Sequence, residues 1–174
     1  MRILGIVSET HDSGLALLED GIPALVLEEE RFNREKHTLK FPLLSLNAAF
    51  AELKLGIADI DVITTPWDTR ELRKTFAKAV LGRLPASMSL LWPAAHAAQD
   101  SGIVFLKFWL KLDLRNTLKA ARLPQIFQVG HHDAHAAIFF VSPFEEAAVL
   151  VMDGYGDVSA TSAYVGCGNQ LECC

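Results

Sequence analysis

"RILGIVSETHDSGLALLEDGIPALVLEEERF", residues 2–32, decides the fold. It holds three short apolar runs, and Asp20-Gly21 separates the second from the third. Both central residues of a two-residue hairpin need positive φ, so an Asp-Gly pair between such runs predicts a tight hairpin. The chain is therefore expected to open with three antiparallel strands. Reading outward, "FPLLSLNAAFAELKLG" (41–56) has apolar positions at helical spacing, with Gly56 as its stop. "DIDVITTPW" (59–67) reads as a fourth strand ended by Pro66. From Asp68 to about Ala121 the pattern is mostly helical, in two or three segments interrupted by Pro85, Pro93 and Gly102. "LPQIFQVG" (123–130) is a further strand, and "HHDAHAAIFFVS" (131–142) starts a helix directly off its end.

A second apolar strand with a glycine-rich turn, "EEAAVLVMDGYGD" (145–157), follows, with "SATSAYVGCGN" (159–169) as its hairpin partner. Residues 149–165 echo residues 2–18: apolar strand, polar turn with Asp and Gly, second strand. Three antiparallel strands, a helix, a parallel strand, helices, a strand and a helix is the order of a ribonuclease H-like α/β unit. The expected fold class is that unit of the actin, sugar kinase and heat-shock ATPase superfold. Residues 1–146 form the first half, and 147–174 the opening hairpin of a truncated second half. In that superfold the two equivalent hairpins cradle a nucleotide's phosphates.

The 174 residues suffice for one ordinary domain. A formal charge of −5 gives no global reason to expect nucleic-acid or anionic-membrane partners. "MRILGIVSETHDSG" lacks the long apolar core of a signal peptide, and Pro85, Pro93 and His96 break the most apolar middle stretch. A cytoplasmic protein is expected. Cys167, Cys173 and Cys174 lack the paired spacing of a zinc site and read as reduced bystanders.

His131 and His135 are four residues apart, so on a helix their imidazoles can converge on one ion. His132 is turned about 100° away and reads as a packing residue or one that supports a ligand. A helix N-terminus disfavours protonated imidazole, which keeps the lone pairs available. Asp153, at the end of the next apolar strand, offers a carboxylate, and this set leaves positions open for substrate. Asp133 reads instead as a charge favoured in the first helical turn. Gly154 and Gly156 flank a tyrosine where backbone N–H groups can approach phosphate. In "SETHDSG", His11 is a general base or a carbonyl ligand, and Asp12 and Ser13 hold a phosphate or its cation; an ordinary polar turn is the competing reading. "EEERFNREKH" brings Arg31, Arg34, Lys36 and His37 to the end of a strand expected to be central, either as a solvated face or as cations for phosphate or carbamoyl groups.

In order, "ILGIVSETHDSG", "EEERFNREKH", "KFPL", "TTPW", "HHDAHAAIFFVSPFEEAAVL" and "MDGYGD" resemble the carbamoyltransferase family of antibiotic and nodulation-factor biosynthesis. The likeness covers essentially the whole chain. It implies an enzyme whose C-terminal domain makes carbamoyl adenylate from carbamoyl phosphate and ATP. The N-terminal domain then passes the carbamoyl group to a hydroxyl of a small-molecule acceptor. By the same resemblance Fe(II), or Zn or another divalent metal, is held by His131, His135 and Asp153, with a further aspartate from later in the second half. His11 matches the family's "HD" histidine in the transfer step. Two positions depart: Asp133 stands where an apolar residue is usual, and Asp157 where a glutamate is usual. Because the second half is incomplete, the chain alone is expected to have little or no transferase activity and to need the C-terminal remainder as partner. The competing readings are an ATPase- or kinase-like member of the superfold, with magnesium on oxygen ligands, and a non-catalytic remnant that only binds.

Overall fold

The computed structural model describes residues 1–8, 12–86, 106–120, 122–154 and 158–174. Strands β1 (Arg2–Val7), β2 (Gly14–Glu19) and β3 (Ile22–Glu28) form the antiparallel meander expected of the opening stretch. Asp20 and Gly21 both take positive φ, 50° and 86°, as the tight turn requires. Between Leu17 and Leu18 the register shifts, so that Pro23 pairs with Leu18. A proline is tolerated there because β3 is the edge of its sheet, and not the central strand expected before the charge run.

After β3 come the short helix α1 (Glu30–Asn33) and helix α2 (Leu43–Leu53). Helix α2 stops at Lys54, in the left-handed region at φ 54°, and not at Gly56. Gly56 instead precedes the 3-10 turn Ile57–Asp59. Strand β4 (Val62–Thr65) ends before Pro66, and helix α3 (Thr69–Leu81) starts from an Asp68 cap whose carboxylate accepts the Arg70 N–H at 2.9 Å. Helix α4 (Leu106–Leu118) and strand β5 (Gln125–Gln128) follow. The expected breaks at Pro93 and Gly102 lie outside the described residues.

The first sheet runs β3-β2-β1-β4-β5, with β1, β4 and β5 mutually parallel. Alternation sends Leu4 and Ile6 of β1, Leu15 and Leu17 of β2, Ile63 of β4 and Ile126 of β5 into one core. Leu46 and Ala49 of α2 and Leu110 and Leu114 of α4 cover it. In α4, Leu106, Leu110 and Leu114 recur every four residues and are fully buried, while Phe108 and Trp109 on the other side are exposed. It is therefore amphipathic, and no described helix is long and apolar enough to cross a membrane.

Helix α5 (His131–Ala136) continues into the 3-10 turn Ala137–Val141 and leads to a second sheet. There the hairpin expected of 147–174 gains a strand. β6 (Glu146–Met152) and β7 (Thr161–Cys167) are joined by β8 (Gln170–Cys173) in an antiparallel meander. The three cysteines are exposed and free.

One buried carboxylate organises the segment between β3 and α2. Glu29 is only 3% exposed and accepts hydrogen bonds from the N–H groups of Leu44 and Ser45 (3.1 and 2.8 Å) and from the Ser45 hydroxyl (2.7 Å). Helix α2 has no side-chain cap from Pro42, so Glu29 satisfies its first-turn donors from a distance. Glu29→Ala is expected to cost about 1–3 kcal/mol, because it orphans these donors in a buried place. A urea midpoint unchanged from wild type would show that the cap carries no weight.

Candidate metal centre

Strands β4 and β5 end side by side, and the Val129 N–H donates to the Thr65 carbonyl at 3.0 Å. Beyond β4 comes Pro66-Trp67, and beyond β5 comes Gly130, which starts α5. The site therefore forms at the carboxyl ends of parallel strands, where open α/β sheets leave a crevice. Asp153 reaches it from the end of β6, where its N–H donates to the Ala160 carbonyl at 2.9 Å. These groups border a cleft of about 690 Å³ that Val7 and Asp12 also line.

His131, His135 and Asp153 converge as the spacing predicts, and each turns one ligand atom toward the others. His131 Nε2 lies 2.8 Å from Asp153 Oδ2 and 3.2 Å from His135 Nε2, and His135 Nε2 lies 3.5 Å from the same carboxylate oxygen. Two ligands held at about 2.1 Å on one ion are about 3.0 Å apart at an octahedral angle and about 3.4 Å apart at a tetrahedral one. The observed spacing brackets those values.

The other ring nitrogen of His131, Nδ1, is 3.2 Å from the Pro66 carbonyl. A carbonyl only accepts, so this contact places a proton on Nδ1 and turns the Nε2 lone pair of the neutral ring inward. That lone pair then meets the Asp153 carboxylate, and a shared proton or a cation must lie between them. Electrostatics favours the ligand-ready states of the partners. Burial, reinforced by the neighbouring His131, holds the His135 pKa below the ordinary histidine value. The adjacent His131 imidazole, with the Gly154 N–H donating at 2.7 Å, holds the Asp153 carboxyl below its usual range.

The first three residues of α5 each reach a different point of the second sheet. His131 meets Asp153. His132 is buried, and its Nδ1 lies 2.7 Å from the Ser162 hydroxyl. Asp133 accepts the Tyr164 hydroxyl at 2.8 Å, so it is more than a first-turn charge. Burial first, and then this bond, push the Tyr164 phenol up to about 12. Below them Ala136, Val151 and Tyr164 pack together, and the Phe139 ring lies so close to Gly166 that a Cβ there would sit 2.7 Å from it.

The remaining expected site residues are less concentrated. His11 and Gly156 lie outside the described residues, as does Asp157. Asp12, in the left-handed region at φ 61°, borders the cleft and pairs with His37 Nδ1 at 2.8 Å. Ser13 is fully buried, and its hydroxyl donates to the Lys40 carbonyl at 2.7 Å. Arg34 and Lys36 are exposed on the segment after α1. Gly154 is exposed, with its N–H turned back to Asp153. Sequence reasoning passed over Trp67, whose ring stacks on His131 with centroids 3.9 Å apart and 18° between planes. It also passed over Glu29 and Tyr164.

Comparison with known proteins finds similarity over nearly the whole chain. The family profile described as "Carbamoyltransferase N-terminus" matches residues 2–173. The uncharacterized protein sll1178 of Synechocystis sp. is 37% identical over 173 residues, 98% of this chain and 28% of that protein. The nodulation protein NolNO of Sinorhizobium fredii is 30% identical over 164 residues, 93% of this chain and 22% of that protein. The chain thus spans about a quarter of the length of these curated relatives.

Proposed function

The chain belongs to the carbamoyltransferase N-terminus family, and from that premise we propose that it forms the metal-bearing wall of an O-carbamoyltransferase cleft. The reaction moves a carbamoyl group from carbamoyl adenylate, made from carbamoyl phosphate and ATP, to a hydroxyl of a small-molecule acceptor. The observation that carries this reading is the convergence of His131, His135 and Asp153 at ion-ligand spacing beside a cleft large enough for substrate. Two imidazoles and a carboxylate suit Fe(II), with Zn(II) or another divalent ion as the alternative. The strand order β3-β2-β1-β4-β5 and the second meander support the ribonuclease H-like assignment, with 1–146 as one half and 147–174 as the start of another.

In the transfer step the acceptor oxygen forms a bond to the carbamoyl carbon, the bond from that carbon to the phosphate oxygen breaks, and AMP departs. An ion held there would supply positive charge to the phosphate and its leaving group. His131, His135 and Asp153 fix where that charge sits. His11, by resemblance, takes the proton from the attacking hydroxyl, with Asp12 and Ser13 in the same turn. Arg34 and Lys36 supply cations near the strand ends, with His37 beside Asp12, and by resemblance the Gly154 and Gly156 turn contacts the nucleotide. The rest of the longer enzyme closes the cleft.

The test is metal content. The chain equilibrated with Fe(II) or Zn(II) and then gel-filtered is expected to retain about one equivalent. Retention of neither overturns the metal reading, and selective retention of magnesium would favour an ATPase-like member of the superfold.

A further inference from the structure

We propose that Trp67 is the positioning residue of this metal centre: its indole face fixes the ring plane of His131 and so aims Nε2 at the ion. The inference rests on the metal reading above and concerns a residue with no ligand atom of its own.

The stack is close and nearly parallel, 3.9 Å and 18°. Trp67 is itself immobilised. It is 5% exposed, and its ring packs against Leu106 of α4. Its carbonyl accepts from Gln128 Nε2 at 3.1 Å, and the same amide donates to Thr69 Oγ1 at 2.8 Å. Gln128 is the last residue of β5, so the central sheet holds the indole rigidly. Immediately before it, the Pro66 carbonyl accepts a hydrogen bond from His131 Nδ1–H. The dipeptide therefore sets both free variables of the ligand. The carbonyl selects the tautomer, and the indole selects the ring plane.

His135 offers the contrast that makes the arrangement informative. It has half its side chain in solvent, and its polar contacts are with the other two members of the site. His131, with 13% of its side chain exposed, is the histidine held from outside the site. Outer partners of metal-bound histidines typically alter affinity by about 10–100-fold when removed.

The experiment measures Zn(II) affinity by chelator competition, and the visible absorption of the Co(II) form, for the whole chain and for Trp67→Leu and Trp67→Phe. Circular dichroism checks folding. Trp67→Leu is expected to bind about 10–100-fold more weakly and to broaden or shift the Co(II) bands. Trp67→Phe, which restores a flat ring, is expected to stay within about threefold of wild type. Wild-type affinity in Trp67→Leu overturns the inference, as does equal weakening in both variants, since a flat ring would then make no difference. If Trp67→Leu does not fold, Gln128→Leu decides. Releasing the indole's backbone anchor is expected to weaken binding several-fold, and unchanged affinity overturns the inference. A wild-type chain that binds neither ion fails at the metal reading itself, and is thereby distinguished from a chain that binds but ignores Trp67.

Discussion

His131→Ala is expected to lower Zn(II) or Fe(II) affinity by about 100-fold or more while leaving the fold in place. Removing a partner outside the ligand set typically costs about 10–100-fold, and His131 is a proposed ligand with both nitrogens engaged. Without it His135 and Asp153 remain 3.5 Å apart as an open pair on an exposed rim. Competition against a chromophoric chelator gives the affinity directly. Thermal unfolding gives an independent reading: ion at about 100 times its dissociation constant adds about 2.7 kcal/mol. For a chain of this size that raises Tm by about 5–10 °C. The wild type is expected to show the shift and His131→Ala to lose it. An undiminished shift in the variant would place the ion elsewhere.

Ile63→Ala is expected to destabilise the chain by about 2–5 kcal/mol, the range for emptying a fully buried aliphatic position. Ile63 is 0% exposed in β4, hydrogen-bonded between β1 and β5, so no flexible neighbour stands ready to fill the space. Against a typical total of about 5–15 kcal/mol, that is a large fraction. Two residues beyond Ile63 the strand ends, and Pro66 and Trp67 follow. Loosening β4 therefore disturbs the platform under His131, and metal affinity is expected to fall with stability. Chemical denaturation in the absence of metal measures the first effect. A loss below about 1 kcal/mol would mean that the sheet repacks around the gap.

Much of this was legible in the residues. The three opening strands followed from Asp20-Gly21, and the convergence of His131, His135 and Asp153 from helical spacing and a strand end. The third strand of the second sheet also had a signal, because Gly168-Asn169 is a two-residue turn of hairpin type. The Gly56 stop failed because a helix ends where the backbone can turn left-handed, and Lys54 did so first. Glu29 hid among three identical glutamates, although it shares the strand parity of Leu25 and Leu27, which points inward. Trp67 and Tyr164 were not legible. Their partners, His131 and Asp133, lie 64 and 31 residues away in the chain, and only the folded sheets bring them together.

The grip of α5 on the second sheet has a thermodynamic corollary. His131 begins the proposed ligand set, and together with His132 and Asp133 it is also the clasp of a joint. An ion at the site would thus hold the two sheets together, and their docking would in turn assemble the site. Occupancy and docking become one linked equilibrium. The second sheet is then expected to open as a unit while the first stays folded, with hydrogen exchange in β6–β8 slowed by added metal. The work of opening it would be set by the concentration of metal outside.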